Sequence, residues 1–193
     1  MSLQTKDKSR MKREPLAFID LETTGLSPKQ HEIIEIGCII ADQEGGEEGT
    51  PTVMFREEFN LRVLPVHIET AQSIALTING YSPERWHDAI SLREALEIVR
   101  DKTRGCIMVG QNVTFDWNFL STAFEQEGVA CLMDYHRLDT MSMAFAKLQD
   151  NPSVQSFSLR ALAAHFGIEQ KNAHHALDDI QVTFEVYKKL IAM

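Results

Sequence analysis

The chain has 193 residues, 44% of them apolar and 24% charged, which is the composition and length of one ordinary globular domain. Its formal net charge of −9 argues against a protein that binds long duplex DNA by neutralising many phosphates, but it leaves open a metal-dependent enzyme that grips only a strand end. No apolar run approaches the roughly 20 residues of a membrane-spanning helix and the N-terminus lacks a secretory signal, so we expect a cytoplasmic protein without membrane contact.

The first part of the chain predicts a short tail followed by an antiparallel meander. Residues 1–14 are polar and locally basic, and we interpret them as a mobile tail, with a nucleic-acid-binding arm as the alternative. Residues 15–193 then form a single domain. Three strands open it: an apolar run that ends in a pair of acids, an isoleucine-rich stretch over 32–42, and a third strand over 53–64. A Gly-rich acidic hairpin loop over 44–51 joins the last two.

Helices and strands alternate after the meander. Apolar spacing, capping residues and terminal glycines predict, in chain order, helices over 68–78, from 82–85 and over 91–104, a strand over 106–109, a helix over 115–127, a strand near 135–138, and helices over 141–148, 158–166 and 176–191. A meander followed by this alternation is typical of an α/β protein with a mixed sheet and helices on both faces.

Two acids stand at the end of the first strand, in the segment LAFIDLETTGL. Asp20 and Glu22 are separated by Leu21. Because successive side chains of a strand point to opposite faces, both carboxylates project side by side. Two anions held together are unfavourable unless a cation lies between them, and hard divalent cations prefer oxygen ligands. For this pair alone, a polar strand end that faces water is the alternative.

A third acid, Asp116, lies in the segment GQNVTFDWNFL, in the first turn of a predicted helix that follows a short buried strand. The helix dipole would stabilise an acid there on structural grounds alone. In open sheets, however, ligands bind beyond the strand ends, so we expect Asp116 near Asp20 and Glu22. Phe115 and Phe119 share a helix face, either as core residues or as the border of a base-stacking site.

The segment NAHHALDD supplies a histidine and a fourth acid. Helix geometry pairs His175 with Asp179, provided that both are helical, whereas His174 precedes the helix proper. By itself this stretch is also consistent with an ordinary helix start that carries acids and exposed histidines. Four carboxylates and an imidazole at one sheet edge are what a two-metal phosphodiesterase needs. Two cations about 4 Å apart clamp the attacking and the leaving oxygen, and the histidine accepts a proton from the attacking water.

The segments FIDLETTGL, NVTFDWNF and HHALDD, in this order and at these separations, resemble the three motifs of the DEDDh, DnaQ-like family of 3′→5′ exonucleases. The resemblance runs from Leu16 to the last helix and includes the segments ALTINGYSPE, LDT and FSLRALAAHFGI. It implies a ribonuclease H-like fold whose five-stranded mixed sheet consists of the antiparallel meander plus two parallel strands, flanked by helices. It also implies two divalent ions, Mg²⁺ or Mn²⁺, with the ligands Asp20, Glu22, Asp116 and Asp179.

The same resemblance changes the assignment of the general base. In the family motif the base stands five residues before the last aspartate, which here is His174 rather than His175. By analogy, the backbone near the first acidic pair receives the 3′-terminal nucleotide, and two residues of the second motif line the same pocket. The implied substrate-binding residues are Leu21, Thr23, Leu26, Asn112 and Phe115.

The implied activity is the release of nucleoside 5′-monophosphates from single-stranded 3′ ends. The residues do not distinguish DNA from RNA, or a monomer from a homodimer. The chain stops directly after the last predicted helix, without an extension that would hold a polymerase, so we expect a free-standing nuclease. A proofreading subunit of a DNA polymerase is one alternative. A non-catalytic nucleic-acid-binding module is another, which the presence of all four acids and the histidine disfavours.

Overall fold

The sheet and its helices are those of the predicted α/β fold. A computed structural model describes residue 11 and the ranges 14–45, 51–170 and 175–193. The strands in these ranges are β1 (Leu16–Thr23), β2 (Ile33–Gly45), β3 (Pro51–Arg62), β4 (Ile107–Gly110) and β5 (Arg137–Asp139). The α-helices are α1 (Ser73–Asn79), α2 (Leu92–Lys102), α3 (Val113–Glu127), α4 (Thr140–Leu148), α5 (Leu159–Phe166) and α6 (Ala176–Ile191).

The five strands form one mixed sheet in the order β3-β2-β1-β4-β5. β1 pairs with β2, and β2 with β3, in antiparallel register. β1 pairs with β4, and β4 with β5, in parallel register. The predicted meander with two added parallel strands is therefore confirmed, and β1 lies at its centre.

Helices cover both faces of β1, which explains why that strand is an almost continuous apolar run. On one face, Phe18 makes edge-to-face contacts with Phe184 and Tyr187 of α6, with ring centroids 5.0 and 5.2 Å apart. On the other face, Ile19 packs in a core cluster with residues of α2 and α3, including Phe119. The core therefore lies in two layers on either side of the sheet.

Two predicted helices differ from the structure, and each of these segments makes a hydrogen bond to a distant part of the chain. The predicted helix over 68–78 is divided into a 3₁₀ turn, Ile68–Thr70, and α1. Between them Gln72 is extended, and its N–H donates to the carbonyl of Thr24 at 2.8 Å. The helix predicted from 82–85 is a series of turns, in which the buried indole N–H of Trp86 donates to the carbonyl of Ile34 at 2.8 Å.

The hairpin between β2 and β3 is longer than predicted. Glu44, Gly45 and Pro51, placed in the predicted loop, belong to the strands, while residues 46–50 lie outside the described ranges. Most of the predicted tail, residues 1–10, 12 and 13, lies outside them too. Within the part of the chain that the structure describes, no helix combines the length and apolar character needed to cross a bilayer.

Candidate metal centre

The acidic pair of β1 continues the strand face that α6 covers. Asp20 and Glu22 follow Phe18 at intervals of two residues and share its face, and both are half-buried. Ile19 and Leu21 point the other way, into the core on the α2–α3 side. The strand alternation therefore brings two carboxylates under the beginning of α6, where they are partly withdrawn from water.

A glycine in β2 lets α6 come close enough to add a third carboxylate. Gly37 is paired with Asp20 across the β1–β2 ladder, and a Cβ built on it would lie 2.4 Å from both the carbonyl carbon and the oxygen of Ala176. The first turn of α6 thus rests directly on the backbone of β2. As a result, Asp20, Glu22 and Asp179 each offer a carboxylate oxygen, and these three oxygens lie within 4.8 Å of one another.

Two further contacts concern the acids that come from helices. Oδ1 of Asp179 accepts a hydrogen bond from Nε2 of Gln170 at 2.8 Å. Asp116, 3% exposed in the first turn of α3, accepts the N–H of Leu21 on its Oδ1 at 3.1 Å. Asp116 is thereby fixed beside the residue that separates Asp20 from Glu22. Among the described residues it is not a member of the group whose oxygens lie within 4.8 Å.

The start of α3 is held by Asp139, at the end of β5. Oδ1 of Asp139 accepts the N–H groups of Asn112 at 2.7 Å and Val113 at 3.3 Å, and its Oδ2 accepts the N–H of Ser142 at 3.0 Å. Asn112 has a left-handed backbone, φ 61° and ψ 49°, which is tolerated by asparagine more readily than by most residues. One carboxylate thus joins the N-termini of α3 and α4 and orients the turn that carries Asp116.

The site has the electrostatics of a cation-binding cluster. Burial, reinforced by the neighbouring carboxylates Asp116, Glu22 and Asp179, raises the pKa of Asp20 well above its ordinary value. Burial and the charge of Asp179 raise the pKa of Glu22 to about 8. Burial also raises the pKa of Asp116 to about 8, against the opposing hydrogen bond from Leu21. Carboxylates that repel one another and offer hard oxygen donors fit Mg²⁺ or Mn²⁺.

The residues predicted to bind substrate differ in their accessibility. Leu26 is 75% exposed and Asn112 is exposed, so both side chains are open to a ligand. Phe115 is half-buried and packs against Phe119, with ring centroids 5.1 Å apart. The side chain of Leu21 is in the core, and the hydroxyl of Thr23 donates to the carbonyl of Gly25 at 2.7 Å. The N–H of Leu21 donates to Asp116, and the carbonyl of Thr23 accepts Nδ2 of Asn79 at 3.2 Å.

The histidine predicted from helix geometry does not have the expected backbone. His175 is extended, φ −125° and ψ 123°, and precedes α6 as its N-cap residue. The condition that His175 and Asp179 are both helical is therefore not met, because the helix begins at Ala176. His174, the base implied by the family motif, lies outside the described residues.

Two residues of β2 that the sequence analysis did not assign also belong to this region. Gly37 provides the contact with α6, and Glu35 is paired with Glu22 across the ladder and only 2% exposed. An acid and a glycine within a run of isoleucines are unusual for a buried strand. This interruption of the isoleucine-rich segment EIIEIGCII is the feature of the sequence that could have identified both residues.

Comparison with known proteins places this arrangement in a family. The exonuclease family of the RNase T type matches residues 17–187. A DNA polymerase III of the PolC type from Thermotoga maritima is 28% identical over 189 residues, covering 97% of this chain and 12% of the polymerase. The 3′-5′ exonuclease DinG of Staphylococcus saprophyticus is 30% identical over 170 residues, covering 88% of this chain and 17% of DinG.

A solved structure shows the same fold. Exonuclease I of E. coli, in complex with a dT13 oligonucleotide, superposes with a TM-score of 0.75 at 21% identity, over 92% of this chain and 41% of that one. The chain spans less than half the length of each of these three proteins. Because the family match spans nearly all of β1 through α6, which carry the four acids, the chain belongs to the DnaQ-like exonuclease family.

Proposed function

We propose that residues 15–193 are a metal-dependent 3′→5′ exonuclease domain that hydrolyses phosphodiester bonds at single-stranded 3′ ends of DNA or RNA and releases nucleoside 5′-monophosphates. The observation that carries this proposal is the approach of Asp20, Glu22 and Asp179, whose carboxylate oxygens lie within 4.8 Å of one another. The similarity to the 3′-5′ exonuclease DinG and to exonuclease I in complex with an oligonucleotide agrees with it.

In this proposal the four acids hold the metal. Asp20, Glu22 and Asp179 supply oxygens at the centre, and Asp116 adds its carboxylate from the start of α3. Two divalent ions, when bound, stabilise the charge on the attacking and leaving oxygens of an in-line displacement. The burial and the mutual repulsion that raise the pKa values of Asp20 and Glu22 favour the exchange of protons for cations.

The remaining roles fall to residues around the acids. We assign His174 as the base that accepts a proton from the attacking water, because it occupies the family's position five residues before Asp179. The exposed side chains of Leu26 and Asn112, the half-buried Phe115 and the backbone of residues 21–23 contact the terminal nucleotide. These contacts orient the scissile bond but carry no feature that distinguishes DNA from RNA.

The test uses matched DNA and RNA oligonucleotides labelled at the 5′ end, single- and double-stranded, with Mg²⁺, Mn²⁺ or EDTA. We expect a ladder shortened from the 3′ end, nucleoside 5′-monophosphate as product, and no reaction in EDTA. Asp20→Asn and Asp179→Asn abolish the reaction, whereas Asp178→Asn, a substitution of the neighbouring acid in the same helical turn, preserves it. Full-length oligonucleotide after incubation of the wild type with Mn²⁺ contradicts the proposal.

A second candidate function is proofreading in association with a DNA polymerase, favoured by the similarity to the PolC-type polymerase. A free-standing nuclease and a proofreading component differ in substrate preference. Primer templates with a matched or a mismatched 3′ terminus separate them. Preferential removal of the mismatched nucleotide together with copurification of a polymerase supports proofreading, and equal removal of both termini supports the free-standing nuclease.

A further inference from the structure

A fifth carboxylate lies next to the proposed metal centre. Glu35 of β2 is directly opposite Glu22 in the antiparallel β1–β2 ladder, so the two side chains share one face of the sheet. Glu35 is 2% exposed. Like charges directly opposite each other in a ladder are destabilising, and a fully buried glutamate is rare unless it is paired. The position of Glu35 therefore requires a compensating interaction.

The hydrogen bonds of Glu35 account for only one of its two oxygens. Oε1 accepts Nδ2 of Asn60, on β3, at 2.6 Å. Asn60 is paired with Gly37. Because Gly37 has no side chain, it leaves room for the Asn60 amide to reach Glu35. Oε2 is buried without a hydrogen-bond partner in the described ranges. A buried carboxylate oxygen with no donor is costly, which makes a nearby positive charge favourable.

We propose that Glu35 is a positioning residue of the metal centre: a buried carboxylate, anchored by Asn60 behind Glu22, whose charge strengthens the binding of divalent cations by Asp20, Glu22 and Asp179. This inference rests on the proposed function. Glu35 acts through its field and not as a ligand, since it is not in the described group of oxygens that lie within 4.8 Å. Its direct pairing with Glu22 across the β1–β2 ladder places its charge beside the site.

The size of the effect follows from Coulomb's law. Even at the dielectric constant of water, a unit charge about 8–10 Å from a divalent ion changes the binding constant roughly fivefold. In the metal-free protein, loss of the Glu35 charge should instead raise the stability, because removing one of several buried like charges relieves repulsion. A residue that only held β2 against β3 would produce the reverse pattern: lower stability with unchanged metal affinity.

The test is calorimetric titration of Mn²⁺ into the full chain, together with thermal unfolding in EDTA. Glu35→Gln keeps the shape and an oxygen for the Asn60 amide but removes the charge. Glu44→Gln, on the same strand and exposed, is the matched control for the loss of one negative charge. We expect Glu35→Gln to weaken Mn²⁺ binding by at least about threefold, with an unfolding midpoint in EDTA equal to or above that of the wild type. Glu44→Gln leaves both quantities unchanged.

The outcomes separate this inference from the proposed function. Absence of Mn²⁺ binding by the wild type overturns the proposed function and, with it, the role of Glu35. If the wild type binds Mn²⁺ and the affinity of Glu35→Gln is within twofold of it, only the role of Glu35 is overturned. A weakened affinity that accompanies an EDTA midpoint several degrees lower also overturns it, because damage to the fold then explains the loss.

Discussion

At the scale of single residues, two adjacent histidines, His174 and His175, are the candidates for the general base. His175 is the N-cap of α6, and its carbonyl accepts the N–H of Asp179 at 2.9 Å, so its backbone is fixed to the helix start. His174 precedes it in a segment outside the described ranges. Spacing along an ideal helix favours His175, whereas the family motif selects His174, and the observed helix start removes the basis of the first choice.

We therefore expect His174→Ala to lower kcat by about 10²- to 10⁴-fold, the range for loss of a general base. Affinity for Mn²⁺ should be unchanged, since the acids remain. His175→Ala is the matched control and should keep kcat within about threefold of the wild type, because its backbone bond to Asp179 persists. Single-turnover rates and Mn²⁺ titration measure both quantities. A larger loss of rate in His175→Ala than in His174→Ala would reverse the assignment.

At the scale of elements, the site depends on the contact of α6 with β2. Gly37 allows that contact, and a methyl group there would meet the backbone of Ala176 at 2.4 Å. Backbone atoms cannot rotate away as a flexible side chain does, so the helix itself has to move. Since that helix carries Asp179, the displacement acts on the metal ligands as well as on stability.

Gly37→Ala should lower the free energy of unfolding by about 1–3 kcal/mol, the usual cost of overpacking, and should weaken Mn²⁺ binding. Gly45→Ala is the control on the same strand, where an added Cβ meets nothing within 4 Å. Urea denaturation and calorimetry report the two effects. Wild-type stability and affinity in Gly37→Ala would show that α6 does not rest on β2 as described.

Helices with their own capping residues or terminal glycines were predicted correctly from the sequence. Ser91 accepts the N–H of Glu94 at the start of α2, and the left-handed Gly128 and Gly167 end α3 and α5 as expected. Segment 68–78 was predicted wrongly because a hydrogen bond to Thr24 interrupts its helical pattern. Glu35 and Gly37 were missed because their importance depends on strand register, which no local pattern specifies.

At the scale of the molecule, the clustered acids link stability to pH. The folded state raises the pKa of Glu22 from 4.5 to about 8 and that of Asp116 from 3.8 to about 8. Between these limits the folded state binds more protons than the unfolded state, so a rise in pH destabilises the folded state.

In EDTA, the unfolding midpoint should therefore fall as the pH rises from about 5 to about 8, by about 2–4 °C for each kcal/mol lost. Excess Mg²⁺ should flatten the slope, because cations replace the protons. Glu22→Gln should reduce the slope in EDTA, since one of the titrating acids is absent. Thermal melts monitored by circular dichroism measure all three. A midpoint independent of pH in EDTA would show that these carboxylates titrate normally.

The ligands that meet in the centre come from opposite ends of the domain: Asp20 from the first strand and Asp179, about 160 positions later, from the last helix. During synthesis, the strand emerges from the ribosome long before the helix does. Until α6 has been translated and has settled on β2, the nascent chain has two or three of the acids but not the completed group. The order of the elements thus delays assembly of the three-carboxylate group, and any activity that depends on this group, until the domain has folded.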